Sequence, residues 1–184
     1  GVLHSEGLWG GGTTEYALEA LQAAAKGERF KCPVDLDVTL PMIFVDDLMS
    51  GLVALQTAKE AELREPERGY AIPGLSFSAR ELFAQIQKRY PDFEALPEIN
   101  ETMNTFARLW PDTLSAAEPL RDLGYAPRVG LSQMVNTVLA AHEERNQLSQ
   151  TAFRQVDSDG NGLVERAELH AFVLSLLRVP SSKM

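Results

Sequence analysis

Six residues near the C-terminal end carry oxygen donors at a spacing suited to a hard cation. Asp157, Asp159 and Asn161 recur at every second position and offer side-chain oxygens. Leu163 offers its carbonyl, Glu165 stands two positions on, and Glu168 closes the set with a carboxylate that can bind through both oxygens. Gly162 falls where a chain wrapped round an ion must turn sharply. A hard divalent cation takes six to eight oxygens, and this stretch can supply that number directly or through water.

Residues 157–168 match the twelve-residue EF-hand loop at each position that carries chemistry, and calcium is the ion implied. The flanks agree. Leu148, Ala152, Phe153 and Val156 before the loop, and Leu169, Phe172, Val173 and Leu176 after it, repeat at helical spacing. Val164 is the apolar position of the loop that usually meets a partner loop. One such loop is visible, so its apolar face must pack on the rest of the protein or on another copy. The bland alternative is a polar turn between two helices with no metal.

A second group of polar residues lies near the start. Trp9 is followed by Gly10, Gly11, Gly12, Thr13 and Thr14. This is not a phosphate loop, which needs a Lys before its Ser/Thr; Gly12 stands there. Nor is it a dinucleotide fingerprint, because the third glycine of G-x-G-x-x-G is missing. By itself it reads as a loop leading into a helix capped by Thr13 or Thr14.

The elements that must hold these residues follow from periodicity. Residues 1–145 alternate short apolar runs with amphipathic helices, the pattern of an α/β domain. Residues 1–4 have the look of a strand entered midway. A helix carries Tyr16, Ala17, Ala20, Leu21 and Ala24 and stops at Gly27. Strands are expected at 42–45, 70–72 and 93–96. Asp46 or Asp47 is expected to cap a helix rather than do chemistry. Ser78 and Glu81 form a capping box for a helix bearing Leu82, Phe83 and Ile86. A short helix ends at Gly124, and Ser132 opens a last one that can run on toward the loop. The expected division is 1–145 for the α/β domain and 146–184 for a small all-α tail. His4, His142 and His170 are too scattered to suggest a cluster.

Composition sets outer bounds. The chain has 184 residues and a formal net charge of −9, which argues against nucleic acid as a main partner. Its one cysteine, Cys32, cannot form an internal disulfide. No apolar run is long enough to suggest a membrane span.

Several segments together resemble one family. Residues 10–17, residues 40–48 (Leu40, Pro41 and Met42 through Asp46, Asp47 and Leu48), and residues 70–79 ending in Leu75, Ser76, Phe77, Ser78 and Ala79 fall in order. They are followed by Trp110–Pro111 and by residues 123–127 with Leu131 and Ser132. This series is similar to the NAD-dependent L-threonine 3-dehydrogenases, members of the extended short-chain dehydrogenase/reductase group. The resemblance implies an α/β fold that forms the C-terminal, substrate-side part of such an enzyme, across about residues 1–142, with the EF-hand tail behind it. It implies that Gly12, Thr13 and Thr14 meet the threonine carboxylate and amino group; a helix N-terminus with free N–H groups suits an anion. It places Trp110 beside the substrate pocket, although ordinary core packing would serve a Trp equally well. NAD as cofactor, threonine as substrate, a homodimer and a mitochondrial location are likewise what the resemblance implies.

The catalytic base of that group lies in Tyr-x-x-x-Lys. Four positions after Tyr16, Tyr70, Tyr90 and Tyr125 stand Ala20, Gly74, Glu94 and Val129. No catalytic residue is therefore assigned. This chain alone is expected to be inactive, the dinucleotide bed and base belonging upstream. The alternative is a calcium-responsive binding module built on an incomplete dehydrogenase half.

Overall fold

The computed structural model describes residues 1–5, 12–63 and 69–177. The chain divides into two units, Gly1–Ala141 and His142–Met184. The division falls between Ala141 and His142, inside a continuous helix.

In the first unit a short strand β1 (Val2–Leu3) precedes helix α1 (Tyr16–Lys26). One face of α1 is alanine and leucine, and Tyr16, Ala17, Leu18, Ala20, Leu21, Ala23 and Ala24 are all buried. Gly27 ends it in the left-handed conformation at φ 70°, where its N–H and that of Glu28 reach back to the carbonyls of Ala24 and Ala23. Strands β2 (Phe30–Cys32) and β3 (Thr39–Phe44) follow, and β3 runs directly into α2 (Val45–Thr57).

Strand β4 is Leu75–Ser78, later than the 70–72 run expected from sequence. Of residues 70–72, Ile72 packs on α2, where a Cβ on Gly51 would come within 2.4 Å of its side chain, and the Tyr70 hydroxyl donates to Asp122 at 3.1 Å. Helix α3 (Ala79–Gln87) starts with the expected capping box: Glu81 N–H donates to Ser78 Oγ at 3.3 Å, and Ser78 N–H donates to Glu81 Oε2 at 2.8 Å. Strand β5 is Ala95–Pro97. Helix α4 (Glu101–Leu109), capped by Asn100, and α5 (Ala117–Leu123), closed by Gly124 at φ 65°, lead to α6 (Leu131–Val156).

Two small sheets organise these elements. In the first, the order is β1-β3-β4, with β1 parallel and β4 antiparallel to β3. In the second, β2 pairs with β5 in parallel. Strand β3 is buried along most of its length, as a central strand should be. The core joins α1, β3 and α3 to the first turns of α6 through Tyr16, Leu21, Leu40, Phe77, Ile86 and Met134. Phe83 stands edge-on to both Phe30 and Phe93, with ring centroids 5.9 Å and 5.8 Å apart. This is the expected α/β class.

The second unit contains the end of α6, the loop 157–165 and α7 (Arg166–Leu177). No helix of the described residues is long and apolar enough to cross a membrane.

Candidate functional site

The turn before α1 is built differently from the expected cap. Glu15, not a threonine, is the residue that precedes the helix, and it already has helical angles (φ −67°, ψ −20°) with no side-chain cap. The chain enters through a turn in which Glu15 N–H donates to Gly12 O at 2.9 Å and Ala17 N–H donates to Thr14 O at 3.4 Å. Backbone carbonyls meet those donors, so neither threonine hydroxyl is needed as a cap. Gly12 is exposed, and a Cβ there would meet nothing within 4 Å. Thr13 and Thr14 are half-buried. Thr14 lies hard against the start of β1: a Cβ on Gly1 would stand 2.1 Å from Thr14 Oγ1. Gly1 in turn accepts from Ile43 N–H at 2.9 Å, which ties the turn to the end of β3. Trp9, Gly10 and Gly11 lie outside the described residues. In the first turn of α1, burial pushes the Glu19 carboxyl up, and the neighbouring Glu15 adds to that.

Trp110 is the C-cap of α4. It is 42% exposed, so the core-packing reading does not hold for it in this unit. Among the described residues no hydrogen bond or ring contact joins Trp110 to the Thr13–Thr14 turn.

Neither Asp46 nor Asp47 is the cap of α2. Phe44 takes that position, and both acids sit in the first turn. Asp47 is only 3% exposed. Its carboxylate accepts the backbone N–H of Arg128 at 3.0 Å and 3.1 Å and that of Val129 at 2.9 Å. An aspartate one turn inside a helix looks like a local electrostatic helper in sequence; its actual partners are 81 and 82 positions away. No local signal could have pointed to them.

Three of the acidic residues between 157 and 168 come together. Asp157, Asp159 and Glu168 each offer a carboxylate oxygen, and these oxygens all lie within 4.8 Å of one another. Glu165 is not part of that group. Gly160 and Gly162 take left-handed angles, φ 73° and 82°, and let the loop fold inward. Asp157 accepts the N–H groups of Asn161 at 3.1 Å and Gly162 at 3.0 Å. Asn161 Oδ1 accepts from Leu163 N–H at 2.7 Å. Glu168 reaches back across the loop: Oε1 accepts from Ser158 N–H at 2.8 Å and Ser158 Oγ at 3.0 Å, and Oε2 accepts from Glu165 N–H at 3.0 Å. These donors, the Glu165 amide first, hold the Glu168 carboxyl below its ordinary range. Ser158 was not among the residues singled out by sequence; the loop pattern leaves its position unspecified.

The comparisons bear on the first unit. No family model matches the chain. An uncharacterized epimerase/dehydratase from Staphylococcus haemolyticus is 30% identical over 138 residues, 75% of this chain and 43% of the relative. The mitochondrial L-threonine 3-dehydrogenase of Sus scrofa is 28% identical over 150 residues, 82% of this chain and 40% of the relative. Among solved structures, the GalE-like L-threonine dehydrogenase from Cupriavidus necator superposes with a TM-score of 0.72 at 31% identity, covering 76% of this chain and 50% of that one. The chain is thus similar to L-threonine 3-dehydrogenases and epimerase/dehydratases. It spans half or less of the length of each of these three proteins. They come from bacteria and from an animal mitochondrion alike, so the likeness carries no location.

Proposed function

We propose that the first unit forms the substrate-side half of an enzyme that oxidises the L-threonine hydroxyl with NAD. The observation that carries this reading is the agreement with threonine dehydrogenases over three-quarters of the chain, in sequence and in backbone at once. In this reading Gly12, Thr13 and Thr14, at the positive end of α1, receive the substrate carboxylate and amino group, and Trp110 closes one side. The sequence carries no G-x-G-x-x-G, and no Lys stands four positions after a Tyr. When bound, NAD would supply the hydride acceptor, and no catalytic base is assigned among the residues of this chain.

The test is an assay of the full-length protein for threonine-dependent reduction of NAD. Activity lost in Thr14→Val, with the protein still folded, supports the reading. An active site indifferent to Thr13 and Thr14 overturns it.

The second unit supports a separate proposal, calcium binding at residues 157–168. The donor set fits a hard cation: three carboxylates within reach of one point, with the Asn161 side chain, the Leu163 carbonyl and a water-mediated or direct Glu165 to complete the shell. Bound there, the ion would hold the end of α6 and the start of α7 together. Calorimetric titration with calcium tests it, and the absence of any heat would remove it. If the full-length protein binds calcium but has no dehydrogenase activity, the binding-module reading replaces the enzymatic one.

A further inference from the structure

Helix α4 has almost nothing beneath it. Of its residues only Ala107 is buried, and Met103 packs partly on the core, while Phe106 and Leu109 are exposed. A nine-residue helix does not hold itself together in water. Burying one alanine adds little. Polar ties must therefore set its position.

Those ties converge on Asp35, in the loop between β2 and β3. Its N–H donates to Asn104 Oδ1 at 2.9 Å, and its Oδ2 accepts from Arg108 Nη2 at 2.5 Å. Asn104 and Arg108 are four apart and share one face of α4. The other carboxylate oxygen accepts from Asp37 N–H at 3.2 Å, a local turn that aims the carboxylate before it meets Arg108. Asp37 is itself held by Arg80 through two bonds, of 2.7 Å and 3.1 Å. Beside this hub, Glu98 and Asn100 donate their N–H groups to the carbonyls of Cys32 and Pro33, each at 2.9 Å. Trp110 follows directly as the cap of the helix so anchored.

We propose that Asp35 is a positioning residue for the substrate wall: its carboxylate, by holding Arg108 beside the backbone tie to Asn104, sets α4, and through α4 it sets Trp110. The proposal rests on the reading of Trp110 as a neighbour of the substrate. Asp35 touches no reacting atom, so its loss raises KM and leaves kcat in place. An exposed ion pair contributes little by itself, and the expected change is about fivefold.

The experiment combines hydrogen exchange with steady-state kinetics on the full-length protein carrying Asp35→Ala or Asp35→Asn. Amides of residues 105–109 exchange about fivefold faster in Asp35→Ala, a change of the size expected for one exposed charged tie. Amides of α1 and α6 stay as they were. Asp35→Asn falls between, because it keeps an oxygen for Asp37 N–H and loses the charge toward Arg108. Threonine KM rises in the same order with kcat held. Unchanged exchange in α4 overturns the tie, whatever the enzyme does. Faster exchange with an unmoved KM, in an active protein, overturns the link to the pocket. A wild-type protein that does not oxidise threonine defeats the functional reading instead, and the exchange data still judge the tie. Arg108→Gln, a change at an exposed side chain, gives the same exchange result if Asp35→Ala does not fold.

Discussion

The carboxylate of Asp47 accepts the backbone N–H of Val129 at 2.9 Å, across 82 positions of sequence. It accepts from Arg128 N–H as well, so one buried side chain holds the segment that feeds α6 against the first turn of α2. Tyr125 repeats the device nearby, its hydroxyl donating to the Pro73 carbonyl at 2.7 Å. Removing the Asp47 carboxylate leaves the buried Val129 N–H and the part-buried Arg128 N–H without that partner, at a cost of about 2 kcal/mol. Asp47→Ala should lower stability by that amount in urea unfolding. Asp47→Asn, which keeps an accepting oxygen, should lose less. Equal and small effects from both would mean that water replaces the carboxylate readily.

Gly74 makes a different claim on its neighbours. A Cβ there would stand 2.4 Å from the Met42 carbonyl oxygen and 2.6 Å from the Ile43 Cα, both backbone atoms of β3. Main chain in a central strand cannot yield as a flexible side chain can. Gly74→Ala should therefore cost about 2 kcal/mol through overpacking. At Gly27 the constraint is purely conformational, φ 70° with open space around it, and Gly27→Ala should cost about 1 kcal/mol. Comparing the two urea midpoints tests the distinction: a Gly74→Ala no worse than Gly27→Ala would show that β3 can move aside.

What was legible in the sequence was local. The glycines that end α1 and α5, the box of Ser78 and Glu81, and the buried run of β3 each depend on neighbours a few positions away. The strand expected at 70–72 was misplaced because Ile72 is apolar for the sake of α2, and apolarity does not reveal its partner. Helix α4 has its apolar residues Met103, Phe106 and Ala107 at helical spacing, yet only Ala107 is buried, and polar ties to Asp35 that spacing cannot reveal hold the helix in place. The same contrast runs through the candidate sites. The donors from Asp157 to Glu168 lie within twelve residues, so their convergence follows from spacing. The contact of Thr14 with Gly1 needs the fold.

Tyr16 is fully buried, and among the described residues its hydroxyl has no hydrogen-bond partner. Burial is the main cause that pushes its pKa well above the ordinary value, with Cys32 nearby adding to the shift. The folded-state value is raised, so this group's contribution to stability is fully present below the ordinary tyrosine value of about 10. It is lost as pH rises from there toward the higher folded value. Tyr16→Phe removes an orphaned hydroxyl and keeps the ring, so stability at neutral pH should hold or rise by about 1 kcal/mol. The alkaline fall in stability above about pH 10 should become shallower. A loss of stability at pH 7 in Tyr16→Phe would reveal a partner for the hydroxyl, such as a buried water.

Glu168 joins a pH-sensitive set of loop contacts to the proposed calcium site. Its carboxyl is held below the ordinary glutamate value, chiefly by the Glu165 amide and also by Ser158 and Asp159. With a depressed folded value, the contribution is present above the ordinary value of about 4.3. It disappears as pH falls through the lower folded one. Acidification through that window should loosen the loop, read as faster exchange at the amides of Ser158 and Glu165. Calcium should oppose the change, because the ion binds the deprotonated carboxylate. Glu168→Gln removes a charge and a two-oxygen ligand, and should weaken calcium binding by roughly tenfold or more. Glu165→Gln, outside the three-carboxylate group, should weaken it less. Calorimetry that ranks the two variants the other way round would move the centre of the site from Glu168 to Glu165.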